Sequence, residues 1–184
     1  AMIKQIQRAQ DAGDSVGGDF QVLISGVPYG LGSYTAWNKK LNAKLSEAIC
    51  SINAIKGVSF GLNNSSNLFG SELHDEITHG RKTYKRKQNN AGGIEGGMSN
   101  AQPIFIRAVM KPIPTLIKPL RSVDIQTKED KLAHKERTDS CSVPAASIVA
   151  ESMLCFVLAD ALLEKFGGDT MEQLKTHINA SGKY

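Results

Sequence analysis

"PIFIRAVMK", residues 103–111, repeats its apolar positions with a period of two. Ile104, Ile106, Ala108 and Met110 fall on one side of an extended chain, and Phe105, Arg107, Val109 and Lys111 fall on the other. A strand of a doubly wound parallel sheet is buried on both sides and reads as a continuous apolar run. Two unlike faces point instead to an antiparallel sheet packed on one side. Helical and extended segments around it follow one another without βαβ regularity, so the expected class is α+β.

Working outward, "MIKQIQRAQDAG" (2–13) sets Ile3, Ile6 and Ala9 on one helical face, with Gly13 as a stop. "DFQVLISGV" (19–27) reads as a strand that closes at the turn "PYGLGS". From Trp37 to Lys56, the residues Trp37, Leu41, Leu45, Ile49 and Ile52 step by three or four. That spacing predicts a helix, with Gly57 just past its end and "VSFGL" following as a strand. Residues 63–102 lack periodicity and are rich in polar, glycine and basic residues, as functional or disordered stretches are. Downstream, "SVDIQT" (122–127) reads as a strand and "KEDKLAHKE" (128–136) as a solvated connection. The run Ala145–Phe166 is apolar but holds Glu151 and Asp160, each costing roughly 3 kcal/mol near a bilayer centre. A buried helix that makes contacts on more than one side is expected there, ending at Gly167. Asp169 with Glu172 would cap a final helix.

The 184 residues suffice for one domain with its own core, and 41% hydrophobic with 22% charged content is ordinary for a soluble protein. A net charge of +4 favours anionic ligands only weakly. Cys50, Cys141 and Cys155 have no C-x-x-C spacing and read as free thiols in a reducing compartment. No signal peptide opens the sequence, so a cytoplasmic location is expected, with no membrane partner.

Several stretches could carry chemistry. "RKTYKRK" (81–87) offers Arg81, Lys82, Lys85, Arg86 and Lys87 to phosphates and Tyr84 for stacking, or is a solvated loop. "HDEITH" holds metal-binding residue types, but His74 and His79 are five apart and splay on a helix; a polar surface segment is the plainer reading. In "KPIPT", Lys111 ends a strand, Pro112 and Pro114 stiffen the exit and Thr115 adds a hydroxyl. That set suits a phosphate, or terminates an edge strand. Arg137 and Asp139 in "ERTDSCSVPAA" would face the same side of an extended segment, one able to hold an anion and the other a proton. An ordinary surface ion pair or helix cap is the plainer reading of the spacing alone. "NNAGGIEGGMSN" (89–100) groups Gly92, Gly93, Gly96 and Gly97, which implies positive φ angles or something close to the backbone.

Taken in order, "GDSVGG" (13–18), "GVPYGLG" (26–32), "SINAIKGV" (51–58), "GSELHDEI" (70–77), "NNAGGIEGGMSNAQPI", "KPIPT" and "RTDSCSVPAASIVAESM" resemble the chorismate synthase family over about residues 13–163. The resemblance implies a flavin-dependent lyase of aromatic biosynthesis. That family converts 5-enolpyruvylshikimate 3-phosphate to chorismate and phosphate by 1,4-elimination, and needs reduced FMN without net redox change. The family's flavin contacts map onto Asn53, Ala54, Gly96, Lys111, Pro112, Ile113, Pro114, Thr115 and Arg137. Asp139 matches the aspartate beside the reactive flavin nitrogen, so Asp139 and Arg137 are the implied catalytic pair. The glycine segment would then let backbone approach the cofactor.

This sequence departs from the family pattern at Thr138, Ser140, Ile113 and Glu95. It also lacks the "G-E-S-H-G" and "R-A-S" segments and is about half the family's length, and Ala1 stands before Met2. The expectation is therefore that residues 1–184 are the C-terminal half of the enzyme, a single truncated domain inactive alone. Its partners would be the missing N-terminal half and further copies, a tetramer in the family and a dimer for this piece. The implied fold is an antiparallel sheet packed on helices, one half of a β-α-β sandwich. A polyanion- or nucleic-acid-binding module using residues 81–87 is the alternative.

Overall fold

A computed structural model describes residues 1–63, 65–80, 83–136 and 139–181. Along the chain the elements are α1 (Met2–Asp11), β1 (Gly18–Ile24), α2 (Leu41–Cys50), β2 (Ile55–Phe60) and α3 (Gly70–Leu73). Then come β3 (Ile77–His79), β4 (Tyr84–Arg86), β5 (Ile94–Glu95), β6 (Met98–Ser99) and β7 (Ile104–Met110). The rest are β8 (Arg121–Val123), β9 (Asp130–Leu132), α4 (Val143–Phe166) and α5 (Met171–Ala180).

The two-faced segment becomes β7, the centre of an antiparallel sheet ordered β1-β7-β2. Ile24 lies opposite Ile104 and Gly18 opposite Met110, while Phe60 of β2 pairs with Ile106. Ile104, Ile106, Ala108 and Met110 are buried, whereas Phe105 and Val109 are exposed. One face therefore packs and the other stays open, as the alternation requires. The class is α+β with antiparallel pairing throughout the described strands.

The core joins that face to α2 and α4. Leu41, Leu45 and Ile49 of α2 are completely buried. On α4 the buried residues are mostly small, Ala146, Ala150 and Ala161 with Leu154 among them, so the helix axis can come close to the sheet. The ammonium of Lys44 bridges α2 to α4, 3.2 Å from Asp160 and 3.1 Å from Glu164.

Other expectations change in the structure. The helix of residues 37–56 shrinks to α2, because Trp37 sits in a separate 3₁₀ turn and points outward, 82% exposed. Gly57 ends no helix; it lies inside β2 at a register shift against β7. Residues 128–136 are not wholly a connection, since β9 pairs with β8. The cap of α5 comes from Thr170, whose hydroxyl accepts from the Gln173 amide. Most consequential is α4. It is long and apolar enough to cross a membrane, yet Ile148, Val149, Phe156 and Leu163 stand exposed because only one side meets the sheet and α2.

The long aperiodic stretch is organised by small hairpins and side-chain ties. β3 pairs with β4, and β5 with β6. The Asp75 carboxylate accepts from the Asn90 and Ala91 amides, pinning the start of the glycine segment. Gly92 adopts φ +66° with Gly61 against it, and a Cβ there would stand 2.2 Å from the Gly61 nitrogen. Gly93 and Gly97 are likewise buried against the chain's own backbone. Gly96 differs: at φ +60° it has open space where its Cβ would be. The segment therefore mainly serves close internal packing, and Gly96 alone faces outward.

Two outcomes follow. Gly96→Ala should cost about 1–2 kcal/mol, the penalty of a left-handed L-residue, whereas Gly92→Ala should cost at least twice that because backbone must also move; urea unfolding of both variants measures the difference. The carboxylates of Glu164 and Asp160 hold the Lys44 pKa above the usual lysine range despite partial burial. The stability it lends is thus complete below the unfolded-state pKa and fades as pH rises through the folded one. Lys44→Met should cost about 0.5–1 kcal/mol at pH 7, and a pH series of urea unfolding should show the gap between wild type and variant closing as pH rises through the raised folded-state pKa of Lys44.

Candidate functional site

The site begins where regular structure stops. α2 ends at Cys50, and Asn53 and Ala54 turn the chain into β2. Ala54 holds a left-handed φ of 68°, unusual for a residue with a Cβ, and its carbonyl accepts from the Lys111 amide at 2.9 Å. Strain at a non-glycine residue is a feature of ligand-holding turns. Beyond β7, Pro112 and Pro114 remove two amide donors, so the chain cannot continue the ladder and peels away from the sheet.

Between this exit and the first turns of α4 lies a hollow of about 540 Å³. Ile52, Ala54, Ile113, Pro114, Val149 and Met153 give it apolar walls, and Ser51, Asn53 and Ser142 supply polar atoms. A mostly apolar cavity with a few polar groups is the usual form of a small-molecule site.

Of the residues singled out above, Asn53, Ala54, Ile113 and Pro114 line this hollow. Lys111 and Pro112 are exposed between Met110 and Ile113, and Thr115 is half-buried next in line. Asp139 is exposed three residues before Ser142 in the same loop. Arg137, like Thr138, lies outside the described residues. Gly96 is set apart. It borders a second cavity of about 270 Å³ with Lys40, Asn42, Phe60, Ile94 and Gly97, at the opposite end of α2. Ten helical residues, about 15 Å, separate the two ends. The Asn42 side-chain oxygen beside that cavity is buried without a partner among the described residues.

The departures acquire local reasons. Glu95 receives the Arg86 guanidinium at 2.6 Å and the Asn100 side-chain amide at 2.8 Å, tying β4 to β5. Ile113 gives the hollow part of its apolar wall. The basic run is partly neutralised: Arg86 pairs with Glu95, and Lys87 pairs with Glu76, holding that carboxyl below its usual range. The Tyr84 ring meets His79 edge-on at 5.3 Å. Among the described residues, no cluster of three His, Cys, Asp or Glu could hold a metal, and Cys50, Cys141 and Cys155 are free thiols.

Sequence reasoning missed the α4 wall of the hollow, Val149 and Met153, whose apolar character looked like core. It also missed Ser15, whose hydroxyl donates to the Ile113 carbonyl at 2.6 Å. The stretch "GDSVGG" (13–18) marked its neighbourhood, but nothing in it showed which group the hydroxyl meets.

Fold and hollow together define an α+β protein with a ligand-sized apolar cavity at the exit of its central strand. The family model for chorismate synthase matches residues 1–163, and the chain belongs to that family. A curated chorismate synthase of Alkaliphilus metalliredigens is 55% identical over 177 residues, covering 95% of this chain and 47% of the relative. That of Syntrophotalea carbinolica is 50% identical over 184 residues, covering 100% of this chain and 48% of the relative. A crystal structure of a chorismate synthase superposes with a TM-score of 0.79 at 41% identity, covering 97% of this chain and 46% of that one. The chain thus spans about half the length of the relatives it matches.

The strained turn gives a direct check. Ala54→Gly removes the left-handed penalty of roughly 1–2 kcal/mol and returns part of it as unfolded-state entropy. A net stabilisation of about 0.5–1 kcal/mol is expected by urea titration, and destabilisation would contradict the left-handed turn.

Proposed function

We propose that this chain forms one part of a chorismate synthase, a lyase converting 5-enolpyruvylshikimate 3-phosphate to chorismate and phosphate by 1,4-elimination. The observation that carries this reading is the 55% identity to a curated chorismate synthase over 95% of the chain. The hollow agrees with it in chemistry. Its apolar walls suit a flat heteroaromatic ring, and Lys111, exposed one residue beyond the lining Met110, offers an ammonium to a phosphate.

When bound, reduced FMN supplies electron density to the elimination without net redox change. The chain's own residues would do the rest. Asn53 orients the polar edge of the ring, and Ile113 and Pro114 exclude water from it. Lys111 and Thr115 meet the phosphate tail. Asp139 holds or accepts a proton beside the flavin, and Arg137 neutralises negative charge there. Gly96, a helix length away, would contribute from the far end of a long cofactor or from another copy.

The remaining length of the relatives would complete the substrate site. Exposed area supports such a cover: the chain presents 13010 Å², against about 8,700 Å² for a compact monomer of this mass. The outer face of α4 is its natural seat. A homotetramer in the cytoplasm completes the proposal. The polyanion-binding reading loses ground because Arg86 and Lys87 are already paired with carboxylates.

The test is a chimera in which this chain replaces the matching half of the Alkaliphilus metalliredigens relative. With reduced FMN and substrate the chimera should form chorismate, and the 184-residue chain alone should form none. A folded chimera without turnover, beside an active parent, would defeat the proposal.

A further inference from the structure

Residues 13–18 link α1 to β1 and touch both loops that border the hollow. The Gly13 carbonyl accepts from the Lys118 amide at 2.9 Å, and the Val16 amide donates to the Ser140 carbonyl at 2.8 Å. Between them, the Ser15 hydroxyl donates to the Ile113 carbonyl at 2.6 Å in a half-buried setting. Gly17 lies flat against the exit of β7: a Cβ there would stand 2.3 Å from the Met110 carbonyl and 2.8 Å from the Pro112 nitrogen.

The run Lys111–Thr115 needs such support. Pro112 and Pro114 have no amide hydrogen, so the run cannot pair as a strand. Among the described residues, two hydrogen bonds hold it: the Lys111 amide on the Ala54 carbonyl, and Ser15 on Ile113. The first fixes its start. The second is the only one made by a side chain, and it fixes the middle, where Ile113 and Pro114 form the wall of the hollow.

We propose that Ser15 is a positioning residue: its hydroxyl on Ile113, with the neighbouring Val16 amide on Ser140, sets the spacing between the Lys111–Thr115 run and the Asp139 loop. This rests on the flavin reading of the hollow. A site assembled from two loops is only as accurate as the contact that spaces them, and losing one supporting hydrogen bond lets the loops drift without unfolding the core. Ser15 need touch neither cofactor nor substrate.

The test titrates FMN into the 184-residue chain and its Ser15→Ala, Ser15→Thr and Lys111→Ala variants by flavin fluorescence. Thermal midpoints and amide hydrogen exchange over residues 111–118 are read in parallel. Ser15→Ala should bind on the order of tenfold more weakly, with a nearly unchanged midpoint and faster exchange at Lys118. Ser15→Thr, which keeps the hydroxyl, should restore both. If Ser15→Ala retains affinity and protection while Lys111→Ala loses binding, the flavin reading stands and the positioning role falls. If the parent chain binds no FMN, the flavin reading falls for this chain and exchange alone decides Ser15. Unchanged protection then overturns the spacing role; a local increase reversed by threonine upholds it.

Discussion

Everything else in this structure is referred to one packed face, that of β7 against α2 and α4. Ile104 and Ile106 are buried from the strand, and Leu41, Leu45, Ile49 and Leu154 from the helices. Side chains of this size contribute roughly 1.5–3 kcal/mol each when fully buried. Because α2 lies along this face, its two ends are held at fixed stations. The C-terminal end delivers Asn53 and Ala54 to the exit of β7, and the N-terminal end meets the Gly96–Gly97 turn, where the Leu41 amide donates to the Gly97 carbonyl. Two cavities at the two ends of one helix follow from that arrangement.

The larger hollow exists because three elements end close together. α2 stops before the left-handed Ala54, β7 stops before Pro112, and α4 starts at Val143 with a proline in its first turn. Each terminus exposes apolar surface that the next element does not fully cover. Loops that lack a ladder must borrow their order, and the 13–18 segment lends it through Ser15, Val16 and Gly17. The same economy appears at the other end of the sheet, where buried Ser99 donates to the Pro28 carbonyl and accepts from the Leu31 amide. Both ties join stretches far apart in sequence by single hydroxyls.

Periodicity carried the parts of the fold that repeat. The alternation in residues 104–110 foretold both the buried and the open face of β7, and the step of Leu41, Leu45 and Ile49 foretold the buried side of α2. Where tertiary contact overrides local preference, the reading failed. Trp37 continues the helical step but is cut off in its own turn, and Gly57 resembles a helix stop yet sits in a strand beside Val109. The candidate site was legible as composition, in Asn53, Lys111 and the paired prolines, but not as geometry. No spacing rule reveals that Gly96 lies a helix length from Asn53, or that Val149 and Met153 line the same space as Ile113. Glu95 illustrates the converse: a residue that looked out of place is satisfied by Arg86 and Asn100, nearby partners that the hairpins and not any helical spacing bring to it.

The open surface and the hollow are one problem, not two. Val149 lines the cavity and also belongs to the exposed stripe of α4 that continues through Phe156 to Leu163. A surface that buries the stripe must therefore come down over the mouth of the hollow as well. The drive to do so is considerable, since an exposed apolar patch of several side chains rarely persists on a free soluble protein. Water in the open hollow would weaken polar contacts made by Ser51, Asn53 and Ser142, whereas a dry, covered hollow would strengthen them. Burial of the helix and closure of the hollow are coupled through Val149, so any surface that covered the stripe would also close the hollow.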